Sequence, residues 1–510
     1  MRMSAADYRE SLRRYRPRVF VNGSRVESVA DEPLLAPGIA ATGVCYDFAL
    51  HPDHKPLFDA RQMTSGKTVD RMLHINETST DLLYKLEAVR LVCRESGCAM
   101  RYLSHDGLNG IFQATKRIEA NYGTDHHARF VDYLHRVQED DLTLGVAMTD
   151  AKGDRSKRPA AQVNPDSYVH ITERRPDGIV IRGTKAIVTG APYVHEFLVM
   201  PCRTMTKDEA DFAVCCAVPV DAAGVTIVAR PAGRPGQAEA KLSAKYGQST
   251  GVVIFDDVLV PWDRVFADGQ YEEAGFLTTS YATHHRHSCI GARAGFGDLL
   301  IGAGALMIEV NGLDPDKHGH IRDAMVDLIK IVEGFFACGV AASVYGAKDP
   351  CGSIMPDPVF SNVGKLLLAT QIYDMHRLAH HVSGGLIVAL PGPDEDHNPH
   401  TAASLAAVLA GRADIPASSR MEVARLMEDL TASYSGSWMS LISLHGGGSP
   451  EAMKREIWRN YPVGEKAELV EKLLDRGVIA DGRRVSKQPG RCCATGCAVP
   501  EIAGPKQAAE

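Results

Sequence analysis

Gly251-Val-Val-Ile-Phe-Asp-Asp-Val-Leu-Val-Pro-Trp-Asp-Arg-Val-Phe266 is rich in β-branched residues and breaks at Pro261. Short runs of this kind, bounded by Asp, Gly and Pro, read as strand and turn rather than helix. The same texture recurs in Tyr168-Val-His-Ile-Thr172, Gly178-Ile-Val-Ile-Arg182, Phe197-Leu-Val-Met200, Phe212-Ala-Val-Cys-Cys-Ala-Val218 and Gly224-Val-Thr-Ile-Val228. Together the runs predict an antiparallel barrel or sandwich in the middle of the chain.

On both sides the period changes. Thr80-Asp-Leu-Leu-Tyr-Lys-Leu-Glu-Ala-Val-Arg-Leu-Val-Cys93 repeats its apolar residues at three- and four-residue steps, the signature of a helix. After Tyr271 helical patterns return in Asp298–Val310, Ile321–Val344, Ser361–Ala379 and Pro416–Tyr434, long enough to predict an antiparallel bundle. The expected fold class is α+β, with a helical N-terminal domain over 1–141, a central antiparallel β domain over 142–270 and a helical bundle over 271–481. A tail over 482–510 carries Cys492, Cys493 and Cys497, a metal-like spacing that lacks an obvious fourth ligand, so no metal is assigned.

The chain has 510 residues and a net charge of -7, with 45% hydrophobic and 23% charged residues. That composition suits a globular protein and excludes a disordered one. No basic block offers a footprint for nucleic acid or an anionic membrane. The charged first twenty residues contain no apolar core of a secretory signal. The most apolar long window, Gly291–Val310, is interrupted by Arg293 and Asp298, so no membrane span is expected and a cytoplasmic location is.

Several motifs carry chemistry. Lys152-Gly-Asp-Arg-Ser156 combines a flexible glycine with Arg155 and hydroxyls, groups suited to a dinucleotide; its alternative is a solvated turn. In His445-Gly-Gly-Gly-Ser-Pro-Glu451, Ser449 is a good N-cap and Pro450 a good first helical residue. Gly446 and Gly447 just before that helix would let an anion or a flavin carbonyl approach bare amides. His284-His285-Arg286-His287 is the densest titratable cluster, but successive helical residues fan out by about 100°, so one histidine rather than a metal site is expected to face a pocket.

Five strings, Ala147-Met-Thr-Asp-Ala-Lys-Gly-Asp-Arg155, Phe255-Asp-Asp-Val-Leu-Val-Pro-Trp-Asp-Arg-Val-Phe266, His285-Arg-His-Ser288, Gly384-Gly-Leu-Ile-Val-Ala-Leu-Pro391 and Leu444-His-Gly-Gly-Gly-Ser-Pro450, resemble the family of 4-hydroxyphenylacetate 3-hydroxylases and 4-hydroxybutyryl-CoA dehydratase. The resemblance extends to about residue 475 and implies the acyl-CoA dehydrogenase-like flavoprotein architecture. It implies FAD held by Met148, Thr149, Arg155, Thr189, Gly190, Gly446 and Gly447, with Thr189 where the dehydratase branch has a threonine beside the flavin N5. Gly384 and Gly385 match a pair that approaches the FAD of a neighbouring subunit, which implies an oligomer, expected to be a homotetramer.

The same resemblance separates the two branches. The dehydratase branch holds a [4Fe-4S] cluster on three cysteines and a histidine, and those positions are Cys98, Tyr102, His285 and Ala292 here; two ligands are missing. Its two glutamates become Thr250 and Ile442, and a tyrosine becomes Cys289. The hydroxylase branch has an Arg, a Tyr and a His around its phenol, where this chain has Leu103, Gly107 and Val146; Arg101, Tyr102 and His105 lie close by. The expectation is a two-component monooxygenase that receives FADH2 from a separate flavin reductase and hydroxylates a small, aromatic substrate. His285 is its acid/base, and Tyr102 and Arg101 orient the substrate. The alternative is a flavin-dependent acyl-CoA dehydratase or isomerase without the iron–sulfur cluster, and third comes a non-catalytic flavoprotein.

Overall fold

Thr78 starts the first long helix by accepting a hydrogen bond from the Asp81 amide while the Asp81 carboxylate accepts from the Thr78 amide, and Gly97, at φ 68°, ends it. The computed structural model describes residues 2–474 apart from 99, 238 and 413. Its N-terminal region holds α1 (Ala5–Leu12), α2 (Ala36–Leu50), α3 (Lys55–Phe58), α4 (Ser79–Ser96), α5 (Tyr102–Tyr122) and α6 (His126–Glu139). It also contains strands, which the helical reading of this region missed: β1 (Val19–Val21), β2 (Ser24–Val26), β3 (Asp59–Arg61) and β4 (Thr68–Asp70). At three residues each, they are too short to show a period in the sequence.

The central strands are β5 (Leu144–Ala147), β6 (His170–Arg175), β7 (Gly178–Thr189), β8 (Glu196–Val199), β9 (Val214–Pro219), β10 (Val225–Ala229), β11 (Thr250–Pro261) and β12 (Val265–Asp268). They form a six-stranded sheet in the order β2-β1-β10-β11-β7-β6 and a four-stranded sheet in the order β12-β9-β8-β5. Phe197 from one sheet meets Phe255 from the other edge to face, with centroids 6.4 Å apart. The expected barrel is therefore corrected to two sheets with free edges. Beyond their own ladders, one isolated bridge, Asp150 to Lys185, links the end of β5 to β7. Nor are the sheets purely antiparallel, because β1 pairs with β10 and β5 with β8 in parallel.

The C-terminal region has α7 (Ala274–Val310), α8 (Gly319–Val344), α9 (Pro358–Ser383), α10 (Ala402–Val408), α11 (Ala417–Thr431), α12 (Tyr434–His445), α13 (Pro450–Asn460) and α14 (Val463–Leu473). Helix α7 packs against α4, α5, α8, α9 and α11 and is buried on every face from Ser280 to Gly297, while its last turns reach the surface at Leu306. Gly291 permits this: a Cβ there would lie 2.6 Å from the Leu86 carbonyl oxygen of α4. By length and composition the helix from Tyr271 to Val310 is apolar enough to cross a bilayer, contrary to the sequence expectation, but its apolar window is 67% buried within the protein. Arg293 lies inside the bundle, hydrogen-bonded to Ser443, and Asp298 pairs with Arg90 and Arg94. The tail cysteines Cys492, Cys493 and Cys497 lie outside the described residues.

Candidate active site

The crossing of α5 and α7 builds a buried polar line. Asp106, on α5, is completely buried, and its Oδ2 accepts a 3.0 Å hydrogen bond from His285 Nδ1 on α7. The other ring nitrogen of His285 lies 3.7 Å from Cys289 Sγ, one helical turn further along the same face. Ser288 donates to Asp106 Oδ1 at 2.6 Å and accepts from Lys85 Nζ at 2.7 Å. Asp106 is held far below the usual carboxylate range: burial opposes its charge, and hydrogen bonds from His105 and His285 together with the Lys85 ammonium outweigh that cost.

The fan of the helix points the histidines of the cluster in different directions. His285 lies between the rings of Tyr281 and Tyr102, stacked at 5.3 Å and 5.8 Å. His287 points into the bundle toward the Gly339 carbonyl and Ser343, and His284 is buried without a hydrogen-bond partner among the described residues. Burial, joined by the Lys85 charge, keeps both well below the ordinary histidine range and therefore neutral.

His285 behaves in the opposite way. Burial works against its charge, but the Cys289 sulfur and the Asp106 carboxylate outweigh burial and raise the ring to about 9. For Cys289, burial favours the thiol, and His285, Lys365 and Arg293 together bring it down to about 7. Between about pH 7 and 9 the pair is therefore imidazolium and thiolate. Of the acid and base roles expected for His285, this leaves the ring protonated at neutral pH and set to donate.

The glycine loop closes over this pair. Gly447 has φ 75°, and a Cβ there would lie 3.3 Å from His285 Cδ2 and 3.4 Å from Arg286 Cγ. Its carbonyl accepts from Arg286 Nε at 2.9 Å. Ser449 caps α13 and Pro450 opens it, as the sequence predicts. The loop does not present a row of bare amides, however. Gly446 donates to the Ile442 carbonyl and Gly448 to the His445 carbonyl, so these two amides are spent inside the turn.

Other expected site residues lie elsewhere. Arg101 is fully buried, bonded to Asp141 at 2.5 Å and Asp70 at 3.3 Å, and stacked over Tyr46. Both carboxylates and the ring consume its guanidinium, so it cannot orient a substrate, and its assignment is corrected to a structural one. His105 is likewise spent on Asn76 and Asp106. At the hydroxylase-branch positions, a Cβ on Gly107 would lie 2.8 Å from Leu198 and 3.0 Å from Val146, so that space is packed with apolar side chains.

Met148 and Thr149 follow β5, tied to β7 through Lys185 Nζ to the Met148 carbonyl and the Ala186 amide to the Thr149 carbonyl. Thr189 ends β7, and Gly190, at φ 73°, has the Met100 methyl where a Cβ would stand. Between them and the rest of β7, Ile187 sits at φ 67° and 58% exposed. That is a conformation a β-branched residue seldom adopts, and it adjoins a register shift in the β7–β11 ladder. Arg155 is exposed in the loop after β5. Gly384 and Gly385 end α9 in open surroundings, nineteen residues or about 28 Å of helix from Lys365. One chain does not bring them to His285.

Sequence reasoning placed His285 and Tyr102 and gave no role to Asp106, Cys289, Lys365, Arg286 or Arg293. The four-residue step from His285 to Cys289 was a usable signal. Asp106 and Lys365 come from other helices, and nothing local marks them.

The N-terminal description of the 4-hydroxyphenylacetate 3-hydroxylases matches residues 4–267, and the C-terminal description matches 274–475. The chain belongs to the 4-hydroxyphenylacetate 3-hydroxylase family. As a member of this family it is an enzyme. It is 33% identical to the 4-hydroxybutyryl-CoA dehydratase/vinylacetyl-CoA-Delta-isomerase of Clostridium aminobutyricum over 92% of this chain and 98% of that one. Among solved structures, an oxygen-tolerant archaeal 4-hydroxybutyryl-CoA dehydratase from N. maritimus matches with a TM-score of 0.91 and 33% identity, covering 95% of this chain and 97% of that chain. The oxygenase component of 4-hydroxyphenylacetate 3-monooxygenase, complexed with FAD and 4-hydroxyphenylacetate, matches with a TM-score of 0.81 and 23% identity, covering 93% and 98%. These likenesses identify the family's acyl-CoA dehydrogenase-like fold, with its central sheets open in this member.

Proposed function

We propose that this family member is the FAD-dependent oxygenase component of a two-component monooxygenase, which hydroxylates a small aromatic substrate with an ionisable hydroxyl. The observation that carries the reading is the charge balance around Cys289. Arg286, Arg293 and Lys365 are buried there without an ion-paired carboxylate among the described residues, a setting that stabilises an anion formed on a substrate.

The residues around Thr189 suit a flavin by their chemistry: its hydroxyl and the bulged, exposed backbone at Ile187 offer polar groups at the end of β7, while the place of a Cβ at Gly190 is taken by the Met100 methyl and at Gly447 by His285 and Arg286. Met148, Thr149, Thr189, Gly190 and Gly447 would hold the flavin ring, with Arg155 toward its phosphates and Gly384–Gly385 serving a neighbouring subunit of a homotetramer. Bound reduced flavin supplies activation of oxygen and transfer of one oxygen atom. A separate reductase provides the reduced flavin, in the cytoplasm. The chain's own part is to hold the substrate in a dry pocket, with Tyr102 and Tyr281 fixing the plane of His285 and His285 donating rather than accepting a proton.

An iron–sulfur cluster does not fit. Tyr102 and Ala292 occupy two of the four ligand positions, and no group of three or more His, Cys, Asp or Glu among the described residues could hold a metal ion. The second reading, an acyl-CoA dehydratase or isomerase without a cluster, is favoured by the 33% identity to the dehydratase across nearly the whole chain. The deciding experiment mixes the protein with FADH2 and either a panel of phenols or vinylacetyl-CoA. Oxygen consumption coupled to hydroxylated product supports the oxygenase; anaerobic conversion of vinylacetyl-CoA supports the second reading and overturns the first. Light scattering during FAD titration tests assembly, and a monomer that binds FAD fully would remove the shared site.

A further inference from the structure

Cations approach the Cys289 sulfur from several directions. His285 lies one turn before it on α7 and Arg293 one turn after. Lys365 arrives from α9. Arg293 Nε and Lys365 Nζ converge on Ser443, at 2.5 Å to its hydroxyl and 2.6 Å to its carbonyl. Arg286 is held by Gly447 and Asn362 and also senses Glu456 from α13. Of the remaining ionisable neighbours, Asp106 on α5 is spent on His285 and Ser288, and Lys85 and Cys93 come from α4. Tyr102 and Tyr281 are buried phenols whose ionisation is pushed well up. Within this set Cys289 is the group adjoining unspent cations that can exist as an anion and still accept a proton.

We propose that Cys289 is the proton-accepting catalytic residue of this site: its sulfur takes the proton of a bound substrate hydroxyl, and Lys365 and Arg293 hold the oxyanion left behind. The substrate class rests on the oxygenase reading. The O–H bond breaks, an S–H bond forms, the electron pair stays on oxygen, and no oxidant is consumed. His285 is a positioning residue, which keeps the sulfur ionised while Asp106 fixes the ring through Nδ1. An oxyanion between two buried cations needs no reorganisation when the charge appears.

The test uses 3-nitrophenol as probe, because its phenolate absorbs visible light, its phenol does not, and the free probe titrates above Cys289. At a pH between the Cys289 midpoint of about 7 and the free probe's own midpoint, wild-type protein should bind it as the coloured phenolate. Cys289→Ser should bind it as the phenol, with affinity lower by about tenfold or more. A second measurement needs no variant: the rate at which iodoacetamide labels Cys289, followed by peptide mass spectrometry, should rise through a midpoint of about 7. Equal phenolate in wild type and Cys289→Ser, no binding of the probe, or labelling with an ordinary thiol midpoint of about 8.5 would each overturn the proposal. If the probe ionises as expected but no phenol supports oxygen uptake with FADH2, the oxygenase reading falls and the role of Cys289 stands.

Discussion

Cys289 Sγ lies 3.7 Å from His285 Nε2, so the proton that an isolated thiol would keep sits on the imidazole instead. This relationship, set one helical turn apart and backed by Asp106, decides which groups of the site can accept a proton and which can donate one.

Removing the ring should release the sulfur from that control. In His285→Ala the largest influence opposing burial is gone, so the Cys289 thiol should titrate above its present value of about 7. Iodoacetamide labelling at neutral pH is expected to slow by about tenfold or more, since only the thiolate reacts. FAD affinity, measured by fluorescence titration, should change little. Lost flavin binding would place His285 in the cofactor site instead.

The pair also makes a statement about stability. His285 is raised to about 9, so its contribution is full below the ordinary histidine value of 6.5 and lost as pH rises through about 9. Cys289 is lowered from 9.0 to about 7, so its contribution is present above 9 and lost as pH falls through about 7. Between about 7 and 9 the native pair and the unfolded pair each bind one proton, on nitrogen in one and on sulfur in the other, and the two slopes cancel. Urea unfolding of wild type and of the His285→Ala/Cys289→Ser double variant should therefore give parallel stabilities across this window. Slopes that differ by one proton would mean that only one member of the pair is charged.

Gly447→Ala forces a side chain into the left-handed region and against His285. The backbone conformation alone costs about 1–2 kcal/mol. A lowered denaturation midpoint is expected, together with weaker FAD retention on gel filtration. Unchanged values for both would show that the loop can move away from the ring.

Arg101→Met is expected to act on folding rather than on substrate binding. It leaves Asp70 and Asp141 buried without their cation, a type of change that costs about 3–5 kcal/mol. Denaturant unfolding should show that loss. A folded variant of normal stability with only a raised KM would return Arg101 to the substrate site.

Protein purified without exposure to air should carry negligible iron and acid-labile sulfide, because Tyr102 and Ala292 cannot replace cysteine ligands. About four irons per chain, the content of one [4Fe-4S] cluster, would refute the assignment of those positions and favour the dehydratase reading.

By itself the sequence determined the layer order of the fold, because the period of apolar residues changes where helices give way to strands near Leu142 and return near Tyr271. It also determined the start of α13, since Ser449 and Pro450 act on the backbone next to them. The geometry of a single helix left one histidine of the cluster to face a site, and it was the family resemblance that pointed to His285. The openness of the sheets, the structural burial of Arg101 and the distance of Gly384 from His285 were decided only in three dimensions. So was the charge of the site: His285 and Cys289 titrate as they do because Asp106, 179 residues before His285, and Lys365, 76 residues after Cys289, are brought beside them by α5 and α9. Local patterns encode how the backbone turns, whereas a pKa depends on which charges end up as neighbours, and that is a property of packing.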